Sequence, residues 1–398
     1  MKVLFVTYHG LGFGGAEVST NYLAEGLKRK GHEIIFISTG DYEGFKNYKL
    51  DCFKNVPLFF IHDFYVEKAI KKVIKIEKPE LIHVHDRLTS IGAVKAAKTA
   101  KIPVVVHFRD YWFACPNSSC MASDGFGYDK CDAKIIFKHF PARRWLWDIY
   151  KLGHIRKARK ILDMADLKFA NSNAVRRRLE ICGINDAKQV NILRNLNNFS
   201  PNVKRGVIKQ MLGIDCNLVL YAGGLTEVKG VKFIVEVISE VLNRKKGWCF
   251  LIFGEGPLVN NLKELIELKG LSNKIILAGK IGINEMPYAY ADADIVVLPS
   301  LWEEPLSGVL LEAGASGKPV VASDRGGNRE VIRNGLNGYI VGAGNASEWN
   351  KMLIKLINDK ELREKIGDNA RKEILQGFSM EQVSGAVEKE YLKLIKKG

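Results

Sequence analysis

One stretch, residues 291–341, does most to decide what this chain can fold into. Ile295 to Leu298 is a continuous apolar run, which is typical of a strand buried on both faces of a parallel sheet. From Leu306 the apolar residues recur with helical spacing until Gly317, and Pro319 to Ala322 then predicts the next strand. The order strand, loop, helix, strand indicates an α/β protein.

Two glutamates, Glu304 and Glu312, stand in this unit with seven residues between them. In open parallel sheets, ligands bind outside the carboxyl ends of the strands. Glu304 falls in that loop, and the N–H groups near Ser307 and Gly308 offer an anion site at the helix start. Carboxylates suit sugar or ribose hydroxyls and helix N-termini suit phosphate, so the pattern indicates a nucleotide sugar. The alternative is that the two acids only favour the helix dipole.

Together with the segment EAGASGKPVVASDRGGNREVI that follows, this spacing resembles the signature of glycosyltransferase family 4, whose members are retaining nucleotide-sugar transferases of GT-B fold. The resemblance implies that Glu304 lies beside the donor sugar and that Glu312 holds the ribose. Leu306 and Ser307 stand where the family usually has Phe-Gly, at its backbone contact with phosphate.

The resemblance covers essentially the whole chain and implies an α/β fold of GT-B type. In that fold two Rossmann-like parallel-sheet domains face across a cleft, and a C-terminal helix crosses back to the first domain. We expect an acceptor-binding domain at residues 1–198, a nucleotide-sugar-binding domain at 199–377 and the returning helix at 378–398. Asparagines, low hydrophobicity and Pro201 support a boundary near residues 195–204.

The N-terminal strand leads through a glycine loop into a helix, as in nucleotide-binding α/β domains. Gly10, Gly12 and Gly15 have the G-x-G-x-x-G spacing, and Asp41 stands about where a ribose-binding acid would. A nicotinamide-dependent oxidoreductase is therefore one alternative. The family resemblance implies instead that the pair Gly14 and Gly15 lets the backbone approach the donor phosphates or the acceptor.

Family members commonly carry His-Asp-Tyr-Trp after the strand that here spans Val104 to Phe108, and that histidine lies near the donor sugar. Arg109 occupies its place in this chain, while His107 lies two residues earlier on the same strand face. Either side chain can supply the polar contact, and the substitution is consistent with a different sugar. His83 and His85 on the preceding strand are interpreted as core or rim residues.

The second domain opens with the strand Leu218 to Ala222. The family usually continues with Gly-Arg-Leu and then Lys-Gly, and its arginine and lysine clasp the departing diphosphate. Lys229 matches, but Gly223 is followed by Gly224 where the arginine is expected. Loss of one cation should weaken stabilisation of the diphosphate by ~2–4 kcal/mol. A weak or inactive nucleotide-sugar-binding protein is therefore the second alternative. Lys280 follows a later strand, where the backbone of relatives meets the base.

The resemblance implies an enzyme that moves a sugar from a UDP- or GDP-linked donor to a hydroxyl acceptor, without a metal or a further cofactor. Glu304 and Lys229 are the expected catalytic residues. The expected donor-binding residues are Glu312, Gly14, Gly15, Gly223, Gly224, Leu306, Ser307, Gly308, Lys280 and Arg109. Asp292 and Asp294 have the D-x-D pattern of metal-dependent transferases, but they stand in the turn before a strand and are interpreted as structural.

The seven cysteines and the apolar start of the chain bear on its compartment. The start is typical of a core strand rather than a signal peptide, and no apolar run is long enough for a membrane span. We therefore expect a cytoplasmic protein with free thiols. Cys115, Cys120 and Cys131 cluster in one loop, with His139 as the nearest fourth zinc ligand. Plain loop cysteines are the favoured interpretation.

The net charge of +16 is concentrated in the first half, where residues 1–200 hold 33 basic and 20 acidic residues. This bias favours an anionic partner such as membrane headgroups or a diphosphate-linked acceptor, and a lysine-rich soluble surface is the alternative. Without a nucleic-acid motif we expect no nucleic acid. Residues 134–160 combine nine basic residues with one acidic residue and an aromatic cluster. Such a segment suits peripheral contact with an anionic membrane, although a helix that packs its aromatic rings inward is the alternative.

Overall fold

The structure is a computed structural model. It describes residues 1–11, 14–50, 59–122, 125 and 127–396. Gly12 of the glycine loop therefore lies outside the described residues, as does Cys52. The chain forms two compact units, residues 1–193 together with 380–398, and residues 194–379. Each unit is built around its own parallel sheet.

The first unit contains a seven-stranded sheet whose strands pair in parallel in the order β3-β2-β1-β4-β5-β6-β7. Nearly all residues of its central strands are buried, as expected of a parallel sheet that is covered on both faces. The strands are β1 (Lys2–Val6), β2 (Glu33–Ser38), β3 (Lys46–Lys49), β4 (Leu81–Val84), β5 (Val104–Phe108), β6 (Leu167–Ala170) and β7 (Lys188–Gln189).

The helices of this unit include the last one in the chain, α15, which packs against α1. Buried Val383, Val387 and Tyr391 of α15 join the same apolar core as Leu23 and Leu27 of α1. The helices are α1 (Gly15–Arg29), α2 (Phe59–Glu77), α3 (Arg87–Ala100), α4 (Ala133–His139), α5 (Trp145–Leu162), α6 (Asn173–Ile181) and α15 (Met380–Ile395).

The second unit contains a six-stranded parallel sheet in the order β10-β9-β8-β11-β12-β13. Both units therefore have the Rossmann-like parallel sheet that the sequence predicts. The strands are β8 (Asn217–Ala222), β9 (Trp248–Phe253), β10 (Ile275–Gly279), β11 (Ile295–Leu298), β12 (Val320–Ser323) and β13 (Tyr339–Val341).

The helices of the second unit are α7 (Val207–Leu212), α8 (Val231–Arg244), α9 (Val259–Leu268), α10 (Met286–Asp292), α11 (Gly308–Ala315), α12 (Asn328–Val331), α13 (Ala346–Asn358) and α14 (Lys360–Gly377). Single 3-10 turns lie at Leu196–Asn198 and Glu227–Lys229. β11 has the predicted bounds and all its residues are buried. α11 starts two residues later than predicted, because Ser307 is still extended.

The cysteines differ in one respect from the expectation of free thiols. Cys216 and Cys249 form a disulfide with their Cα atoms 6.0 Å apart. Cys216 directly precedes β8, and Leu218 of that strand is in register with Cys249 of the neighbouring strand β9. This separation is within the range that a disulfide spans, and sequence spacing alone could not show it. Cys115, Cys120, Cys131 and Cys182 are free and buried, as expected for small apolar side chains.

Candidate active site

The sheet order of the second unit reverses between β8 and β11, since β9 and β10 extend it on one side and β12 and β13 on the other. Ligands of open α/β sheets bind outside the carboxyl ends of the strands at such a point. β8 is followed by Gly223 and Gly224, and β11 by the loop that carries Glu304. Both predicted donor loops therefore stand at the same switch point.

Glu304 is buried, with 2% of its surface exposed, and its Oε1 atom is the centre of a polar cluster. Oε1 lies 2.6 Å from Nζ of Lys229. It also accepts hydrogen bonds from the Ser300 hydroxyl at 2.6 Å and from the Trp302 indole N–H at 3.0 Å. The Lys229 side chain is 29% exposed. The two predicted catalytic residues are thus in direct contact, and the lysine can still reach an anion.

Two glycines let the backbone close around this pair. Gly230 has φ +68°, and a Cβ there would come within 2.0 Å of the Pro299 carbonyl oxygen at the end of β11. Gly326 has φ +52°, and a Cβ there would come within 2.1 Å of the Glu304 carbonyl oxygen. These positions accept only glycine because they combine a left-handed backbone with a close approach. Gly230 and Gly326 therefore fix where Lys229 and Glu304 lie.

Glu312 lies on α11, and both of its carboxylate oxygens contact the protein. Oε1 lies 3.1 Å from Nε of Arg194, and Oε2 accepts a hydrogen bond from the Tyr290 hydroxyl at 3.0 Å. Burial raises the pKa of Glu312, while Arg194 and the Tyr290 hydroxyl act in the opposite direction. A carboxylate has about four lone-pair sites, so Glu312 keeps capacity to accept bonds from ribose hydroxyls.

The predicted anion site at the start of α11 has a cation beside it. Leu306 and Ser307 are buried just before the helix. At Gly308, the first residue of α11, a Cβ would come within 2.4 Å of Nη2 of Arg194. The guanidinium group therefore lies against the first turn, where the helix dipole already favours negative charge.

The remaining predicted donor residues of this unit lie at strand ends. The Gly223 N–H donates to the Phe253 carbonyl at 3.0 Å, and the Gly224 carbonyl accepts from the Tyr221 hydroxyl at 2.8 Å. A Cβ at Gly224 would meet no described atom within 4 Å. The backbone thus leaves room for the Cβ atom of a side chain at the position where relatives carry arginine. Lys280 is exposed directly after β10, the edge strand of the sheet.

The predicted donor residues of the first unit lie near the start of α1. Gly14 precedes the helix and Gly15 is its first residue, and both are exposed. Arg109 follows β5 and donates from Nη1 to the Ala16 carbonyl in the first turn of α1. Its Nη2 donates to Nδ1 of His85 at 3.0 Å. Arg109 is thereby held at the helix start, where it adds positive charge.

His83, His85 and His107 form a buried cluster beneath Arg109, with ligating atoms that all lie within 4.8 Å of one another. Burial, and then the nearby positive charge of Arg109, holds the pKa of His83 and of His107 well below the usual range. Because Arg109 can only donate, Nδ1 of His85 accepts and its Nε2 carries the proton. This tautomer and the adjacent guanidinium do not fit a metal ion. His83 and His85 are core residues, as interpreted from the sequence, and His107, which the sequence offered for a polar contact, is buried with them.

Arg194 and Tyr290 are the functional candidates that sequence reasoning missed. Arg194 lies 118 positions before Glu312, and Tyr290 lies 22 positions before it. The segment that follows Arg194 has the composition of a link between domains, which directs attention away from this arginine. A basic residue directly before that link was the one available signal.

The other candidate metal ligands have structural roles. The carboxylate of Asp292 accepts bonds from the backbone N–H groups of Ile208 and Lys209 at the start of α7, at 2.8 and 3.0 Å. Asp294 accepts from the Leu218 N–H at 2.9 Å. Within the described part of the chain, Cys115, Cys120 and Cys131 do not form a group of metal-ligating atoms with His139.

None of the helices in the described ranges combines the length and apolar character needed to cross a membrane. Residues 134–160 form α4 and α5, and their aromatic rings divide between core and surface. Phe140 is buried, whereas Phe137, Leu146 and Trp147 are exposed, Leu146 to 91%. The ring of Phe59 at the start of α2 stacks on Trp147 with centroids 5.7 Å apart. Segments α2 and α5 thus share an exposed surface.

Family models match both halves of the chain. Residues 13–195 match the model described as Glycosyltransferase Family 4, and residues 208–373 match the model described as Glycosyl transferases group 1. A relative from Methanocaldococcus jannaschii, an uncharacterized glycosyltransferase, is 26% identical over 96% of each chain. The UDP-Gal:alpha-D-GlcNAc-diphosphoundecaprenol alpha-1,3-galactosyltransferase of Escherichia coli is 24% identical over 82% of this chain and 79% of the relative.

A solved structure of similar fold is that of Anabaena HepE in complex with UDP and glucose. The two chains superpose with a TM-score of 0.74 at 19% identity, over 98% of this chain and 99% of the other. At this identity the likeness shows the fold. The GT-B architecture predicted from the sequence is confirmed.

Proposed function

We propose that this chain, which belongs to glycosyltransferase family 4, transfers a sugar from a nucleoside-diphosphate donor to a hydroxyl group of a glycan or lipid-linked acceptor, with retained configuration. The observation that carries the proposal is the contact between Lys229 and buried Glu304 at the switch point of the second sheet. Both matching family models are transferases, so the oxidoreductase alternative is set aside.

Each group at this point has a chemical task in the proposed reaction. The bond between the anomeric carbon and the diphosphate oxygen breaks, and the acceptor oxygen bonds to that carbon. The acceptor proton passes to the departing phosphate, as the family resemblance implies. Lys229 and the N-terminus of α11 neutralise the charge that develops on the diphosphate. Glu304 positions the sugar, and Glu312 accepts bonds from the ribose hydroxyls.

The donor proposal is supported by relatives whose names mention UDP. HepE was solved with UDP and glucose, and the Escherichia coli relative uses a UDP-galactose donor. The carboxylate and helix-terminus chemistry around Glu312 and Gly308 suits any nucleoside diphosphate, so GDP-linked donors belong in the same test. We propose that the reaction runs without a metal or other cofactor, because Lys229, Arg194 and the N-terminus of α11 supply positive charge.

A panel of nucleotide sugars tests the proposal by thermal stabilisation of the purified chain. A donor at about 100 times its dissociation constant should add ~2.7 kcal/mol to the free energy of unfolding. Glu312→Gln should lose most of that gain, whereas Glu236→Gln, on an exposed position of α8, should keep it. If no nucleotide sugar stabilises the wild type, the proposal is wrong. The anomeric coupling of the product, measured by NMR with the stabilising donor, tests retention.

We also propose that the first unit contacts an anionic membrane through an aromatic and basic surface, defined by Phe60, Phe64, Lys68 and Lys72 of α2 together with Leu146, Trp147 and Arg143. The two phenylalanines are 57% and 60% exposed. Exposed rings suit the headgroup region and lysines suit anionic lipid. The surface extends the predicted segment 134–160 onto α2, since Phe59 stacks on Trp147.

Sedimentation with phosphatidylglycerol vesicles tests the membrane proposal. Wild type should pellet with these vesicles and not with phosphatidylcholine, and binding should weaken with salt. Lys68→Gln combined with Lys72→Gln should reduce binding, while the same change at exposed Lys263 and Lys269 of the second unit should not. Equal pelleting of both double variants would contradict the proposed surface.

A further inference from the structure

Arg194 is the first residue of the second unit, and Asn195 separates it from the 3-10 turn Leu196–Asn198. Its side chain is 10% exposed and lies between two parts of α11. Its Nε lies 3.1 Å from Oε1 of Glu312, and its guanidinium group occupies the space that a Cβ at Gly308 would need. An arginine in the linker thus reaches the residue that we propose for ribose binding.

Glu312 needs such a cation because its side chain is only 18% exposed and is therefore largely removed from water. Leu310, Leu311 and Ala313 around it are buried core residues. Desolvation favours the neutral acid, which would donate from one oxygen and lose acceptor capacity there. A ribose diol offers two donors, so the ionised form is the one that matches it.

The charged and titratable groups around Glu312 come from several elements. Tyr290 of α10 donates its hydroxyl to Oε2, and burial with the Glu312 charge raises the pKa of Tyr290 well above its usual value. Arg371 of α14 donates to the Ala315 and Phe199 carbonyls rather than to Glu312. Among the groups described here, Arg194 is therefore the cation that faces the carboxylate.

We propose that Arg194 is a positioning residue, which keeps the Glu312 carboxylate ionised and oriented so that it can accept hydrogen bonds from both hydroxyls of a ribose. The proposal rests on the proposed function for the part that concerns ribose. The part that concerns ionisation of Glu312 stands on the structure alone. Neither family signature quoted from the sequence contains this arginine.

The first experiment needs no ligand. The carboxyl 13C shift of Glu312, assigned by loss of the signal in Glu312→Gln, is followed from pH 4 to 9 in the wild type, Arg194→Gln and Arg194→Lys. The Arg194→Gln midpoint should rise by at least about one pH unit, a tenfold change in proton affinity. Arg194→Lys should restore most of the shift because it keeps the charge. An unchanged midpoint in a folded Arg194→Gln protein would overturn the proposal.

The second experiment measures calorimetric affinities for UDP and for 2′,3′-dideoxy-UDP, with the two GDP counterparts run in parallel. The wild type should prefer the ribose form at pH 6 and pH 8. Arg194→Gln should lose that preference by about tenfold at pH 6 and regain part of it at pH 8, because a larger fraction of Glu312 is ionised at the higher pH. Arg205→Gln, an exposed arginine of the same unit, should behave as wild type.

The outcomes separate the two proposals. If Arg194→Gln weakens binding of the dideoxy nucleotide as much as binding of the ribonucleotide, Arg194 contributes to phosphate binding or to folding, and the inference is wrong. If the wild type binds both forms equally, or binds neither UDP nor GDP, the ribose role of Glu312 and the proposed function fail. The ligand-free titration still reports on Arg194 in that case. Melting temperatures of all variants show that each one is folded.

Discussion

The two sheets of this chain reverse their strand order at comparable points but surround them with different chemistry. In the second unit, at the end of β11, a buried acid is paired with a lysine, and a second acid on α11 is paired with an arginine. In the first unit, Arg109 stands near the start of α1 above three neutral histidines. The same topology therefore carries carboxylate acceptors in one unit and a cationic donor in the other.

This difference indicates which ligand groups each unit suits. Carboxylates held by cations accept bonds from sugar and ribose hydroxyls and keep their charge while buried. A guanidinium beside a helix start attracts phosphate or another anion. The second unit thus has the features of a nucleotide-sugar site, and the first unit those of a site for a negatively charged group. Four predictions test this contrast.

The largest effect is expected at Glu304. Glu304→Gln should lower donor turnover on the order of a thousandfold, because the sugar loses its positioning group and the bonds from Lys229, Ser300 and Trp302 are disturbed. Initial rates of nucleoside-diphosphate release measure it. Glu236→Gln is the control. If turnover of Glu304→Gln stays within tenfold of wild type, Glu304 does not take part in the reaction.

The next effect concerns Lys229. Lys229→Gln should reduce turnover by about a hundredfold, the lower end of the range for removal of one donor to the developing charge, which costs ~2.7 kcal/mol. Lys232 is exposed three residues later on α8 and serves as the matched control. Comparable losses in Lys229→Gln and Lys232→Gln, measured as kcat/KM, would mean that general positive charge is responsible.

A gain is expected at Gly224, where a side chain meets open space. Gly224→Arg restores the family cation and should raise turnover by about tenfold or more if the diphosphate leaves past this loop. Gly224→Gln, similar in length but uncharged, is the comparison. A rate equal to that of wild type in a folded Gly224→Arg protein would indicate that another cation, such as Arg325, already fills this task.

The smallest effect tests the neutral histidines of the first unit. Folded His107 has a pKa well below 6.5, so the unfolded state binds the extra proton and stability is lost as pH falls below 6.5. Asp110 opposes this, because burial raises its pKa to about 6. His107→Gln should therefore reduce the pH slope of unfolding free energy by up to ~1.4 kcal/mol per pH unit. Urea titrations at pH 7.5, 6.5 and 5.5 give the slope, and an unchanged slope would show that His107 is not neutral in the fold.

The sequence predicted the features that depend on local pattern. The strand Ile295–Leu298 is found with the expected bounds because four consecutive apolar residues need burial on both faces. Glu304 and Lys229 were named from motifs that include the glycines Gly230 and Gly326, and those glycines now explain the contact. The assignment to the glycosyltransferases and the GT-B fold also rests on local motifs, and it is confirmed.

The features that the sequence did not predict are long-range pairings. Arg194 meets Glu312 across 118 positions, and Arg109 meets His85 across 24. The disulfide between Cys216 and Cys249 depends on the pairing of β8 with β9, which the residue types do not specify. Side-chain partners follow from strand order and helix packing, and neither leaves a periodic signal in the chain.

The location of Arg194 has a consequence for anyone who recombines glycosyltransferases. A chimera that joins a foreign N-terminal half to this chain at a loop near residue 200 would lose Arg194. Glu312 would then be left without the cation that it contacts. The junction of such a chimera should therefore lie between Leu193 and Arg194, so that a transplanted second unit keeps Arg194.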